Sequence, residues 1–169
     1  MTCEPKHIIR TDGRREWRVD DQLHRLDGPA RIWPDGGQAW YAYGQLHRLA
    51  GPAVIHANGQ QEWWVNGQLH RTDGPAVIRA DGYTEYHLNG LLHRQDGPAV
   101  VWPNGSQEWW VNGQRHRLTG PAVIWTNGKK SWFINDCNIT DEVEKWLQQQ
   151  GVVWPWDGST QTQFALTFL

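Results

Sequence analysis

The chain has 169 residues with a mean hydropathy of −0.71, and no apolar run approaches the roughly 20 residues of a membrane-spanning helix. Sixteen basic against eighteen acidic residues give a net charge of −2, which argues against a protein that rides on phosphate backbones. The excess of 13 Trp, 18 Gly and 8 His over 1 Met and 3 Phe points to a repeated motif.

At the N-terminus, Met1–Arg10 holds no apolar stretch of signal-peptide length. The two cysteines, Cys3 and Cys137, are too few and too far apart in sequence for a disulfide framework. Together these lead to the expectation of a cytoplasmic protein.

From about residue 7 to residue 136 the chain repeats every 23 residues without insertion. Gly-Pro-Ala begins at Gly28, Gly51, Gly74, Gly97 and Gly120, and His-Arg begins at His24, His47, His70, His93 and His116. An Asn/Asp-Gly pair keeps the same step at Asp12, Asp35, Asn58, Asp81, Asn104 and Asn127, as does an aromatic column at Trp17, Trp40, Trp63, Tyr86, Trp109 and Trp132. The unit reads Q-E-W-W-V-N-G-Q-L-H-R-x-D-G-P-A-V-I-x-x-N-G-x. Asn66-Gly67 between β-favouring residues is a strong hairpin signal. Pro75-Ala76-Val77-Ile78 reads as a second strand with proline first, where its missing N–H does no harm. Gly and Pro at this density exclude helix. The expectation is an all-β meander of two short antiparallel strands per unit, over five to six units.

These residues resemble the MORN repeat. The likeness rests on the aromatic strand Glu62-Trp63-Trp64, the Asn66-Gly67 turn, His70, and Gly74-x-Ala76 running to Asp81-Gly82. The H-R-x-D-G-P-A form resembles more closely a repeat found in phage and bacterial proteins of uncharacterised function. Five copies with two partial flanking ones cover about three quarters of the chain. The resemblance implies an antiparallel β solenoid over residues 1–136 with a cap over 137–169. A phage source would place the protein in the host cytoplasm. The glycines more usual in MORN units are replaced here by Arg-x-Asp-Gly-Pro, so lipid binding is not carried over.

Strand alternation divides the array into two faces. Trp17, Trp40, Trp63, Tyr86, Trp109 and Trp132 share one with Val19, Ala42, Val65, Leu88, Val111 and Ile134. The second strand adds its alanines and Ile32, Ile55, Ile78, Val101 and Ile124, so this face reads as the core. The opposite face carries Arg18, Tyr41, Trp64, His87, Trp110 and Phe133, with Trp33, His56, Arg79, Trp102 and Trp125. Rings mixed with cations are typical of contact surfaces, although a rolled or covered sheet would make this a second core.

Five histidines in register do not make a metal site, because equivalent residues two strands apart are separated by roughly 10 Å. The repeated Arg and Asp read as a loop ladder, in which Arg25, Arg71 and Arg94 meet Asp27, Asp73 and Asp96. Ala50 and Thr119 replace the Asp while Arg48 and Arg117 remain, leaving two arginines open to an anion. Arg115, His116 and Arg117 form a candidate basic spot.

Beyond Asp136, Thr140 is a candidate N-cap for a helix over 140–150, with Asp141 and Glu142 in its first turn and Gly151 ending it. Alternation of Phe164, Leu166 and Phe168 predicts a terminal strand over 163–169, covered by the array or by a second copy.

No nucleophile elbow, phosphate loop, dinucleotide fingerprint or zincin motif is present, and the polar residues recur in every unit where catalysis needs one asymmetric constellation. No enzyme, cofactor or metal is therefore expected. The leading reading is a protein-binding module whose contact residues are Trp33, Tyr41, Trp64, Arg79, His87, Trp102, Trp110, Arg115, Arg117 and Trp125. Two alternatives stand beside it. One is a module that sequesters a nucleotide-type anion with Arg48, Arg79 or Arg117 and so blunts host signalling; the other is an assembly component. Nucleic acid is disfavoured by the charge.

Overall fold

The computed structural model describes residues 4–169, so Cys3 lies outside the described residues. The chain forms two compact units, residues 1–91 and 92–169.

In the first unit the strands Lys6–Ile9, Arg15–Val19, Arg31–Ile32, Gln38–Ala39, Val54–Ile55, Gln61–Glu62, Val77–Ile78 and Thr84–Glu85 lie side by side in that order, all antiparallel. In the second, Val100–Val101, Gln107–Glu108, Val123–Ile124 and Lys130–Ser131 do the same. A typical repeat holds four two-residue strands where two short strands were expected. Gln61–Glu62 belongs to the main sheet, whereas Trp64–Val65 pairs only with Gln68–Leu69. Trp63 is the corner between them. Its N–H donates to Ala76 O at 2.8 Å, and its carbonyl accepts from His70 N at 3.0 Å.

Both turns of the unit follow from their residues. Asn66 and Gly67 have φ of 50° and 74°, the doubly left-handed pair of a two-residue hairpin. At the other end, the Gln60 N–H donates to Asn58 Oδ1 at 3.0 Å, and Asp35, Asp81, Asn104 and Asn127 do the same for their own loops.

The small hairpins are joined from unit to unit. The Asn66 N–H donates to His47 Nδ1 at 3.2 Å, Asn89 to His70, Asn112 to His93, and Asn135 to His116. The histidine ladder is therefore a set of staples between repeats. Alongside it, Gly67 N donates to Leu46 O at 2.9 Å and Arg48 N to Trp64 O at 3.0 Å.

The tightest packing falls on two columns. Ala30, Ala53, Ala76, Ala99 and Ala122 are wholly buried on the face expected to be the core. Val54, Val77, Val100 and Val123 are buried on the opposite face, which was expected to be a contact surface. The Trp/Val columns of the first face are only half-buried up to Trp109, and Trp132 alone is buried. Neither face is a one-sided core, because every strand after Val19 is only two residues long and cannot bury a full stripe.

Strands give way to helix after Cys137–Asn138, where α1 runs over Thr140–Gln150 as expected. Its N-cap is Ile139, not Thr140, and no side chain caps it. Thr140 Oγ1 is spent elsewhere, donating to Asn138 Oδ1 at 2.6 Å and accepting from Trp132 N at 3.1 Å. Gly151 ends the helix in the left-handed conformation. The expected terminal strand is a second helix, α2, over Gly158–Phe168, whose N-cap Asp157 accepts from Thr160 N at 2.7 Å. Phe164 and Phe168 stand four apart on one side of α2 and meet Trp146 of α1 edge-on at 6.1 and 6.0 Å. Leu166 points away and is 83% exposed. As a helix, the segment presents no strand edge. Trp132, Val143, Trp146, Trp156 and Phe164 close the core of this cap.

Candidate binding faces

Glutamates organise the rings around Trp64 within residues 1–91, and around Trp102 and Trp110 within residues 92–169. In the sheet register Glu62 sits between Val54 and Val77, and Glu108 between Val100 and Val123. From that row each carboxylate reaches the rings on either side. Glu108 accepts from the indole N–H of Trp102 and of Trp110, both at 3.0 Å. Glu62 accepts from Trp64 Nε1 and is 2.9 Å from His56 Nε2. Glu85 accepts from Tyr83 Oη and is 2.9 Å from His87 Nε2. Burial would raise the Glu62 carboxyl, but its bonds from His56, Trp64 and Gln60 hold it below the usual carboxylate range. The bond from His87 leads in holding Glu85 low.

In the first repeat the same column position is Glu16, among arginines. It is buried and accepts from Arg10 Nε, Arg18 Nε and Arg31 Nη2 at 3.0, 3.0 and 2.9 Å. Burial pushes its carboxyl up, and the three arginines outweigh that and bring it down to about 2. Ala39 and Ser131 replace the glutamate in two other repeats. There the side-chain polar atoms of Trp33, Tyr41 and Trp125 have no hydrogen-bond partner among the described residues.

The expected contact residues divide accordingly. Within residues 1–91, Trp33, Tyr41 and Trp64 are half-buried, and Arg31 lies 5.7 and 5.8 Å from the Trp33 and Tyr41 rings. Arg79 is exposed and stacks on Tyr83 at 4.3 Å. His87 is buried, with no partner for its Nδ1, and lines no open surface. Within residues 92–169, Trp102 is 42% and Trp125 36% exposed, Trp110 is half-buried, and Phe133 is buried.

The expected basic spot is split. Arg115 faces Phe133 at 4.4 Å and Trp110 at 5.4 Å, and its Nε pairs with Asp136 at 3.2 Å. Arg117 instead stacks on Trp109 at 3.8 Å. Trp109 and Trp110 are neighbours in an extended chain, so the two guanidiniums lie on opposite faces. His116 is held by Asn135.

Within residues 1–91, Arg25, Arg48 and Arg71 lie over the rings of their repeats in the same way. Arg25 is 4.2 Å from the Trp17 centroid, Arg48 3.8 Å from Trp40, and Arg71 3.9 Å from Trp63. The same arginines donate to the carbonyl of the following proline, at Pro52 for Arg48 and Pro75 for Arg71, at 3.0 and 3.1 Å. Arg117 is half-buried, and loss of water lowers its guanidinium from the usual value.

Beside α1 a cavity of about 880 Å³ is lined by Lys129, Lys130, Trp132, Asp141, Glu144 and Trp154. Trp132 Nε1 is buried without a hydrogen-bond partner. Acid and base face each other there, so the cavity favours neither sign of ligand charge. Among the described residues no three His, Cys, Asp or Glu side chains cluster as metal ligands, and no helix is long and apolar enough to cross a membrane.

The sequence reading missed the glutamate row, although Glu16, Glu62, Glu85 and Glu108 carry the 23-residue step as plainly as the tryptophans do. No family model and no curated protein matches this chain.

Proposed function

We propose that this chain is a MORN-like repeat protein that acts by binding a protein partner through its aromatic face, without catalysis. The observation that carries the reading is the double clamp at Glu108, which fixes the Trp102 and Trp110 indoles by their N–H groups at 3.0 Å. Both rings stay open enough to be covered, with Trp102 42% exposed. Rings already held in place lose little side-chain entropy when a partner covers them, which is the economy of rigid aromatic contact surfaces. The surface beside the clamp is aromatic more than basic, because Arg115 is consumed by Asp136.

The test is affinity capture from cells that make the natural partners, followed by identification of what is retained. Trp102→Ala combined with Trp110→Ala is expected to lose the partner. Leu166→Ser, at an 83% exposed position of α2, is expected to keep it. Unchanged capture by a folded double variant overturns the assignment of the face.

A further inference from the structure

On the Arg–Trp face, three of the arginine loops neutralise themselves. Arg25 Nε pairs with Asp27 at 2.8 Å, Arg71 with Asp73 at 2.7 Å, and Arg94 with Asp96 at 2.9 Å. Arg48 holds the same pose without an acid. It lies 3.8 Å over Trp40 and donates from Nη1 to Pro52 O at 3.0 Å, while the Asp position is occupied by exposed Ala50. Its Nε–H and Nη2 groups have no partner among the described residues. Arg117, in the other loop that lacks Asp, donates Nε to Thr119 Oγ1 at 3.3 Å and has Trp154 5.9 Å away.

We propose that Arg48 is a binding site for an external carboxylate, which takes the place that Asp73 takes beside Arg71. Three features support this site. The stack on Trp40 and the bond to Pro52 fix the guanidinium before any ligand arrives. The edge left free is Nε with Nη2, whose two parallel N–H groups match the two oxygens of a planar carboxylate. Arg48 also lines a notch of about 660 Å³ with Leu49, Ala50, Trp63, His70, Arg71 and Thr72, which has room for more than the carboxylate itself. Its one acid, Asp73, is held by Arg71, so one cation remains unmatched. The notch beside Arg25 differs in charge, since Glu4, Asp20 and Asp27 outnumber that arginine. This site is built from residues 48–73 and does not depend on the proposed partner surface.

The experiment follows the arginine Nε–Hε resonances of the whole chain by NMR at low salt. Acetate represents a free acid, and an end-blocked Gly-Glu-Gly peptide represents an acidic side chain. The Arg48 resonance is expected to shift saturably while those of Arg71 and Arg94 stay in place. A peptide that saturates at concentrations at least about tenfold below acetate assigns the site to acidic segments, and equal saturation assigns it to small free acids. Ala50→Asp restores the acid found in the sister loops and is expected to weaken the response at least about tenfold. Asp96→Ala is expected to make Arg94 responsive in turn. An Arg48 response no larger than that of Arg71, or one that survives Ala50→Asp, overturns the proposal.

Discussion

Replacing Glu16 by Gln keeps the shape of the side chain and removes the charge that three arginines share. The carboxyl is held at about 2 in the fold against an ordinary value of 4.5. That difference corresponds to a ceiling of about 3 kcal/mol at 1.36 kcal/mol per pH unit. Solvent reaches the cluster, since Arg10 is 41% exposed, and screening leaves about 1–2 kcal/mol of it. The folded value is depressed, so the stabilisation is complete above pH 4.5 and is lost as pH falls from 4.5 toward 2. Over that window the unfolded chain takes up the proton first. A repeat array can open locally, so the measurement is hydrogen exchange at the amides of Trp17 and His24, which bond to Ala30 O and Trp17 O. Wild type is expected to exceed Glu16→Gln in opening free energy by about 1–2 kcal/mol at neutral pH. The gap should narrow below pH 4.5 and close near 2. A gap that stays constant between neutrality and pH 3 would refute the reasoning, because the charge would then not be what the arginines hold.

Two further outcomes concern the cap. Phe164 is wholly buried against Trp146 and Trp156, and Phe164→Ala is expected to cost about 3–5 kcal/mol in denaturant unfolding of the C-terminal helices. A Cβ at Gly120 would stand 2.5 Å from Trp154 Nε1, so Gly120→Ala is expected to displace that indole from Arg117. Tryptophan side-chain NMR reads this as a shifted Trp154 Nε1–Hε1 resonance, with the Trp40 resonance unmoved.

Local signals carried far into the fold. Asn-Gly and Asp-Gly pairs marked both kinds of turn because few other residues tolerate the conformations required there. Asp141 and Glu142 at its start and Gly151 at its end marked α1. The terminal segment misled because Phe164, Leu166 and Phe168 alternate, yet Phe164 and Phe168 are also four apart. A capping Asp157 at the start of the segment was the signal for helix. The glutamates of the strands went unread, although Glu62 and Glu108 point along the same face as the buried valines and tie down the rings beside them. The Arg-over-Trp stacks lay beyond reach as well, since Arg71 and Trp63 are eight residues apart and meet only because a hairpin folds the chain back between them. The Ala50 and Thr119 substitutions were visible, but that Trp154 shields one of the two loops could not be read from the chain.

The histidine staples have a consequence for how such a chain can change length. Each joint links one histidine to the turn of the following repeat with the same pair of atoms, so no joint is unique to its place. Excision of residues 47–69 would splice Leu46 onto His70, leaving His24 bonded at Tyr43 and His70 at Asn89. No donor or acceptor is stranded by that cut. Recombination between copies can therefore add or subtract whole repeats without redesigning a seam, and the number of units becomes a quantity that selection can adjust while the residues on each face diverge independently.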